Sequence, residues 1–406
     1  MAGGRAAELR DELTDTLIAQ GKIVSPALEK AFRTVPREMF VPAGTPLDVV
    51  YSVDNSVVTK TDEHGAPLSS VSATYIQARM IEMAAPGPGM TILEIGSGGY
   101  NAALLAEVVG ADGHVVSVDI DAEITDRAAA LLDQAGYGGR VTVLQADAEH
   151  PAPGFGPFDR ILVTVGAWDI PPAWVEQLTP GGVLVVPLRM NGVTRTIAFR
   201  HDADHLASID VELAGFVPMQ GHGAHADRTF LLPDPDGKHI KLQFDSDVPD
   251  TMSSLDGALV IEPVSVWSGV AFPNGVSFAD LHLWLAAFLP GFCRVAADPG
   301  TPLAAGLGKT WFPFGAVRGD SFAYLAVRPA MEGAGVEFGA TAYGKHGQAA
   351  ATALAEQIQE WDHGPRACDP TFGFWPIGSG IPPLPGRSAV LPKRHGAVSI
   401  SWHRTG

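Results

Sequence analysis

Leu93-Glu94-Ile95-Gly96-Ser97-Gly98-Gly99 closes a short apolar run that begins at Met90, and a second run ending Val116-Ser117-Val118-Asp119 follows. A strand, a glycine turn, a helix and a strand ending in an acid make half of a nucleotide-binding sheet. The glycines let the backbone approach a ligand, and the acid can accept from ribose hydroxyls. The alternative is a tight strand-to-helix turn that holds no ligand. Context favours a ligand: Ala102, Leu104, Leu105 and Val108 are spaced for a helix packed on a sheet, and Asp119 falls where a ribose diol would lie. Glu94 precedes the first glycine and no Gly-Lys-Ser/Thr follows, so an adenosine bearing a cationic methionine suits the turn better than a triphosphate. S-adenosylmethionine is therefore the expected cofactor, ahead of NAD(P).

Further β-branched runs continue the pattern: Val141 to Gln145 with Asp147 after it, Arg160 to Thr164, and Gly182 to Val186. Helices expected over 122–134 and 172–178 separate them, as in buried parallel strands. The fold class is α/β, a doubly wound, mostly parallel sheet. Ligands of such sheets bind at the carboxyl ends of strands, where Gly96, Asp119, Asp147 and Thr164 to Ala167 all fall.

The chain has 406 residues, 46% hydrophobic and 18% charged, which predicts two domains. The formal charge of −18 excludes nucleic acid and anionic membranes, whose phosphates need clustered Lys and Arg. No apolar stretch reaches the roughly 18 residues of a membrane span, and Met1 to Lys22 lacks a signal-peptide core, so a cytoplasmic location is expected. Cys293 and Cys368 have no metal-ligand spacing, and no metal is expected.

Toward the N-terminus, Leu9, Leu13 and Leu17 share a helical face over 5–20, Ser25-Pro26 opens a second helix, and 43–71 is polar loop with short strands. A helix runs from Ser72-Ala73-Thr74-Tyr75 to Ala85. The expected division is a domain over 1–235, with N-terminal helices in 1–42, and a C-terminal α+β domain over 236–406, with Pro233 to Gly237 as the turn at the boundary. Within the second half, Ile240 to Phe244, Ala258 to Ile261 and Phe322 to Val327 read as strands, 278–288 and 347–361 as helices, and Ala397 to Trp402 as a last strand that closes a sheet.

Four stretches together resemble the protein-L-isoaspartate O-methyltransferase family: Val35-Pro36-Arg37 with Phe40-Val41-Pro42, Val71-Ser72-Ala73, Leu93 to Ala106, and Asp159 to Pro171 with Gly181-Gly182. The resemblance fades from Thr194 onward. In length the chain looks like the actinobacterial variant associated with lanthipeptide clusters, the FxLD type. It departs from the family in a glycine turn one residue shorter, in Thr74 where a proline is usual, and in Ser69-Ser70-Val71-Ser72 where a glutamine-threonine-isoleucine-serine approach is usual.

The resemblance implies Ser72 as the catalytic residue, with Ser70 beside it. It places Ser69, Val71, Gln77, Gly96, Ser97, Gly98, Ile120, Ala148 and Thr164 around the cofactor, and Glu94, Asp119 and Asp147 at its amino-acid, ribose and adenine portions. Serine before a helix can equally be an N-cap, and Asp147 a turn former. His222 and His225, with Asp227, allow a metal pair or an exposed loop, and Trp168 a core position or a substrate wall.

Three functions follow. The first is methylation of an aspartate side-chain carboxylate in a ribosomally made lanthipeptide-type peptide, leading to succinimide and isoaspartate. The second is general L-isoaspartyl methylation of the repair type, and the third a silent peptide-binding module of a biosynthetic complex. The expected partner is a peptide substrate; the sequence is silent on oligomeric state.

Overall fold

The computed structural model describes residues 2–233, 236–245, 248–250, 252–301, 303–304, 314–330 and 335–403. Helices α1 (Ala2–Ala19), α2 (Pro26–Thr34) and α3 (Leu47–Val50) lead into a hairpin of β1 (Val57–Thr61) and β2 (Pro67–Val71). Ser25 caps α2 by accepting from the Leu28 amide, with Pro26 as the first helical residue, as the sequence implied. Alternating with helices come α4 (Thr74–Ala84), β3 (Thr91–Ile95), α5 (Tyr100–Val109), β4 (His114–Asp119), α6 (Ala122–Gln134), β5 (Val141–Gln145), β6 (Phe158–Val163), α7 (Pro172–Glu176) and β7 (Leu178–Met190). Strands β8 (Val193–Asp202) and β9 (His205–Glu212) complete the first run.

The second run holds β10 (Arg228–Pro233), β11 (His239–Phe244), β12 (Val264–Pro273), α8 (Ala279–Phe288), β13 (Phe292–Ala297), β14 (Phe314–Arg318), β15 (Ser321–Pro329), β16 (Gly335–Gly344) and α9 (Gly347–Asp362). The chain ends in β17 (Pro370–Pro376), β18 (Arg387–Pro392) and β19 (Gly396–Trp402).

Among the described residues the first sheet has the order β18-β19-β17-β9-β8-β7-β6-β3-β4-β5, and the second the order β10-β11-β13-β14-β15-β16-β12. Strands β5, β4, β3, β6 and β7 are parallel, whereas β8, β9, β17, β19 and β18 add antiparallel to the far side. The parallel part is the doubly wound α/β sheet that the sequence implied, with an additional strand-rich part. The parallel strands are apolar on both faces because both are covered. Ile92, Val115, Leu162 and Val183 enter a core with α1, α2, α4 and α5. Their neighbours Leu93, Val116, Ile161 and Leu184 enter another that runs without a break into Leu281, Trp284 and Leu285 of α8, Phe338 of β16 and Trp361 of α9.

Three expectations need correction. A cut at 235/236 does not separate the sheets, since β10 pairs with β11 in the second sheet and β17 to β19 return to the first. Asp234 and Pro235 of the expected boundary turn lie outside the described residues. The final strand joins the first sheet, between β17 and the edge strand β18, rather than the second, because β17 finds its hydrogen-bonding partner in β9, Gly373 opposite Ala207. Ala258 to Ile261 is no strand: Gly257 adopts φ +77°, a conformation glycine permits, and redirects the chain into a 3₁₀ turn over Ala258–Val260.

Candidate active site

The glycine turn sits where β3 meets α5. Gly96 has φ +99°, and a Cβ there would come within 2.5 Å of Thr164 Oγ1, so only glycine fits between the tips of β3 and β6. Thr164 itself donates to the carbonyls of Ile95 and Gly96 at 3.0 and 2.9 Å, tying those tips together. Asp119 holds the other side, accepting from the Ser97 amide at 3.0 Å on one oxygen and the Asp121 amide at 3.0 Å on the other. Burial pushes its carboxyl up, and these amides counteract the shift. Asp121 caps α6 and pairs with Lys60 Nζ at 2.7 Å, which tethers the β1–β2 hairpin over the turn.

Beside the turn lies a cleft of about 420 Å³, counting space open to solvent, walled by Asp119, Ile120, Asp147, Ala148, Val165 and Pro218. Ile120 remains 36% exposed there, an apolar side chain available to a planar ring. Asp147 accepts from the Glu149 amide at 3.0 Å, the turn-forming bond, and from the His222 amide at 2.9 Å. Gly221 brings that second amide close: with φ +74°, a Cβ on it would come 2.5 Å from Asp147 Oδ2.

An inner cavity of about 360 Å³ adjoins the cleft, lined by Ser70, Ser72, Gln77, Glu94, Gly98 and Thr164. Glu94 is fully buried and accepts from Asn101 Nδ2 at 2.9 Å and from Ser117 Oγ. Burial raises its pKa from the ordinary 4.5 to about 7, with Asp119 adding to the rise and the two donors opposing it. Ser117 is also hydrogen-bonded to Ser97 Oγ at 2.9 Å, so Ser97 contributes through both its amide and its hydroxyl.

On the far side an open cleft of about 1250 Å³ is lined by Ser70, Ser72, Tyr75, Thr164, Phe216 and Pro218. Ser72 is not the cap of α4; Ala73 holds that position, with no side-chain cap bond, and Ser72 stands one residue before it. Its hydroxyl has no hydrogen-bond partner among the described residues, while Ser69 Oγ accepts from Thr59 at 3.0 Å. Val71 is buried at the end of β2 and lines the inner cavity.

Sequence reasoning singled out Ser72 and Gln77 but missed what holds them. Arg37 is fully buried and donates to the carbonyls of Val50 and Ser72, each at 2.8 Å, and to Gln77 Oε1 at 2.7 Å. Its guanidinium lies 4.9 Å from the centre of the Tyr100 ring, and burial works against its charge. The signal was available: a cation inside the apolar, proline-bounded stretch 35–42.

His222 and His225 have different neighbours. His222 lies 3.3 Å from Asp147 over the cofactor cleft, whereas His225 stacks on Trp168, ring centres 4.0 Å apart, and Asp227 pairs with Arg189. Trp168 faces away from the cofactor cleft into the junction between the sheets.

A model of the protein-L-isoaspartate(D-aspartate) O-methyltransferase family matches residues 8–224. The protein-L-isoaspartate O-methyltransferase of Hyperthermus butylicus is 38% identical over 189 residues, covering 45% of this chain and 75% of that protein. Its namesake in Methanopyrus kandleri is 39% identical over 180 residues, 44% of this chain and 76% of its own length. One solved protein-L-isoaspartate O-methyltransferase aligns over 61% of this chain and 91% of its own, at 26% identity and a TM-score of 0.49.

The chain's residues fit S-adenosylmethionine. Gly96 lies between the two adjoining cavities; Asp119 and the exposed Ile120 beside Asp147 line the outer one, where they would hold ribose and adenine, and the buried Glu94 lines the inner one, where it would meet the amine. All of them fall inside the matched stretch, which covers more than half of the sequence and ends before β10. This chain is an S-adenosylmethionine-dependent methyltransferase that belongs to the protein-L-isoaspartate(D-aspartate) O-methyltransferase family.

Proposed function

We propose that the protein methylates a free carboxylate of a peptide, with an L-isoaspartyl residue as the substrate: its side-chain carboxyl forms the backbone amide, and its α-carboxylate is left to react. The observation that carries this reading is the placement of Ser72, whose unengaged hydroxyl lines both the inner cavity beside the cofactor crevice and the open cleft. The relatives' names point to the same substrate. Among the described residues no histidine, lysine or arginine lines either cavity, so the site offers no strong base. A carboxylate needs none, because it is ionised at neutral pH.

Bound S-adenosylmethionine supplies the electrophilic sulfonium methyl. The substrate oxygen forms a bond to that carbon as the carbon–sulfur bond breaks, giving a neutral ester and a neutral thioether. The protein's contribution is alignment, an effect worth up to about 7 to 11 kcal/mol in favourable cases. Ser72 donates to one carboxylate oxygen and leaves the other to attack. Arg37 fixes the Ser72 backbone; Glu94, Asp119 and Asp147 address the amine, ribose and adenine, and Ser69, Ser70 and Val71 carry the approach to Ser72.

A second, finer reading is dedicated methylation of an aspartate in a lanthipeptide-type peptide. The next backbone nitrogen attacks the ester carbonyl and closes a succinimide as the methoxy group leaves, carrying the amide proton away as methanol, and hydrolysis of the imide gives isoaspartate. The feature that favours it is the strand-rich second part, which lies beyond the family match and offers contacts remote from the reacting atoms. No helix among the described residues is long and apolar enough to cross a membrane.

Two peptide sets separate these readings when incubated with the protein and S-adenosylmethionine and followed by mass spectrometry. One carries isoaspartate in unrelated sequences, the other aspartate in a thioether-ringed precursor. Methylation of arbitrary isoaspartyl peptides supports the first reading; a methyl gain or water loss confined to the precursor supports the second. Reaction with neither set, alongside intact cofactor binding, would leave a peptide-binding module.

A further inference from the structure

Where the two sheets meet there is a cavity of about 850 Å³ that methyl transfer does not use. Trp168, Arg189 and Thr194 reach it from the first sheet, and His225, Asp227 and Arg294 from the connection and the second. Asp227 is shared between two cations, one oxygen on Arg189 Nη2 and the other on Arg294 Nη2. Arg189 has a second acid, Asp245, which lies 2.6 Å from its Nε and also accepts from Trp168 Nε1 at 3.2 Å. Arg294 has no second acid among the described residues: its side-chain hydrogen bond runs from Nη2 to the shared Asp227, and its side chain is 34% exposed at the cavity wall. A half-neutralised, partly exposed guanidinium lining a cavity is suited to an anionic acceptor. A guanidinium fork matches the geometry of a carboxylate.

The position says whose carboxylate it would be. Phe216 and Pro218 line both this cavity and the open cleft beside Ser72, so one strand of backbone separates the two. That strand is fixed to the tip of β6 by bonds from the Gly166 amide to the Val217 carbonyl, 2.7 Å, and from the Met219 amide to the Gly166 carbonyl, 3.0 Å. A peptide presenting one residue to Ser72 therefore has its neighbours beside the junction. The stacked rings of Trp168 and His225 form a flat wall there. In a chain of charge −18, such a cation also gives an acidic peptide a local point of attraction.

We propose that the junction cavity is a second subsite for the substrate peptide, in which Arg294 takes a carboxylate flanking the methylated residue, either an acidic side chain or the peptide's own C-terminus. The proposal rests on the peptide methyltransferase reading above.

The test uses the full chain with S-adenosylhomocysteine and fluorescently labelled isoaspartyl peptides that differ only in a flanking Glu or Gln and a free or amidated C-terminus. Anisotropy reads binding without turnover, and KM is measured in parallel. The wild type is expected to bind the acidic-flank or free-terminus peptide at least about fivefold more tightly than its neutral counterpart, and whichever pair responds identifies the source of the carboxylate. Arg294→Met is expected to abolish that difference, and Arg294→Lys, which keeps the charge but not the fork, to retain part of it. Equal binding of all four peptides by the wild type overturns the proposal, as does a loss in both variants that falls equally on acidic and neutral peptides. A flank preference that depends on Arg294 without any methylation would uphold the subsite and defeat the methyltransferase reading; methylation without preference would do the reverse.

Discussion

The cofactor crevice and the junction cavity are built on different principles, although they share Pro218 and Met219 as a wall. In the crevice, side chains at successive strand tips are held by backbone amides, each acid by one within two residues of it and one more distant in sequence: Asp119 by Asp121 and Ser97, Asp147 by Glu149 and His222. In the junction, side chains hold side chains across long separations, Arg189 and Arg294 reaching Asp227 from 38 and 67 residues away. A site positioned by backbone survives changes around it; a site positioned by ion pairs is lost when either sheet shifts. The first should therefore tolerate perturbation of the second sheet better than the reverse, provided the shared core remains intact.

Four experiments sharpen or break this contrast. The largest effect is expected from removing residues 370–406, which takes away three strands of the first sheet and the buried Phe372, Phe374, Val398, Ile400 and Trp402. Loss of a cooperative thermal transition by circular dichroism is the expected outcome; a folded, cofactor-binding product would mean that the sheet needs no closing edge. Trp284→Ala comes next. Trp284 is fully buried and meets Trp402 edge-on, ring centres 5.3 Å apart, so the loss should be about 3 to 5 kcal/mol. In calorimetry it should lower one common transition, whereas two transitions moving separately would refute the shared core.

Glu94→Gln probes the crevice alone. With its pKa near 7 in the fold against an ordinary 4.5, Glu94 binds a proton more strongly when folded, and the stability this gives is lost as pH rises from 4.5 through 7. The variant should gain on the order of 3 kcal/mol at pH 8 and almost nothing at pH 4.5. Its affinity for S-adenosylmethionine should fall if Glu94 meets the cofactor's amine as proposed, because the carboxylate is gone. A gain that is equal at both pH values would contradict the buried-acid reading. The smallest effect on stability is expected for Ser72→Ala, which removes one hydrogen bond to the substrate carboxylate, worth about 1.5 to 3 kcal/mol in binding and turnover. A kcat/KM decrease of roughly ten- to hundredfold with unchanged cofactor affinity is the expected signature, and unaltered turnover would remove Ser72 from the site.

The same contrast explains what the sequence disclosed. The β3 turn, Asp119 and Asp147 were legible because each is a local event, a glycine or an acid at the end of an apolar run. Arg37 escaped notice as a site residue because its partners, Val50, Ser72 and Gln77, are brought to it only by folding. The return of β17 to the first sheet was equally hidden: nothing in Pro370 to Pro376 specifies that its partner is Ala207 rather than a nearer strand. Ala258 to Ile261 misled for the opposite reason, since a short apolar run alone does not distinguish a strand from a turn.

The turn between β18 and β19 has a further consequence. His395 contacts Glu149 and Asp169, Arg394 donates to the His222 carbonyl and Lys393 to that of Arg189, so the last hairpin braces the loops around both cavities. Each of these bonds spans at least 172 residues of sequence, so the ribosome makes the loops of both cavities well before the hairpin that braces them, and the crevice gains its brace only once that hairpin has emerged.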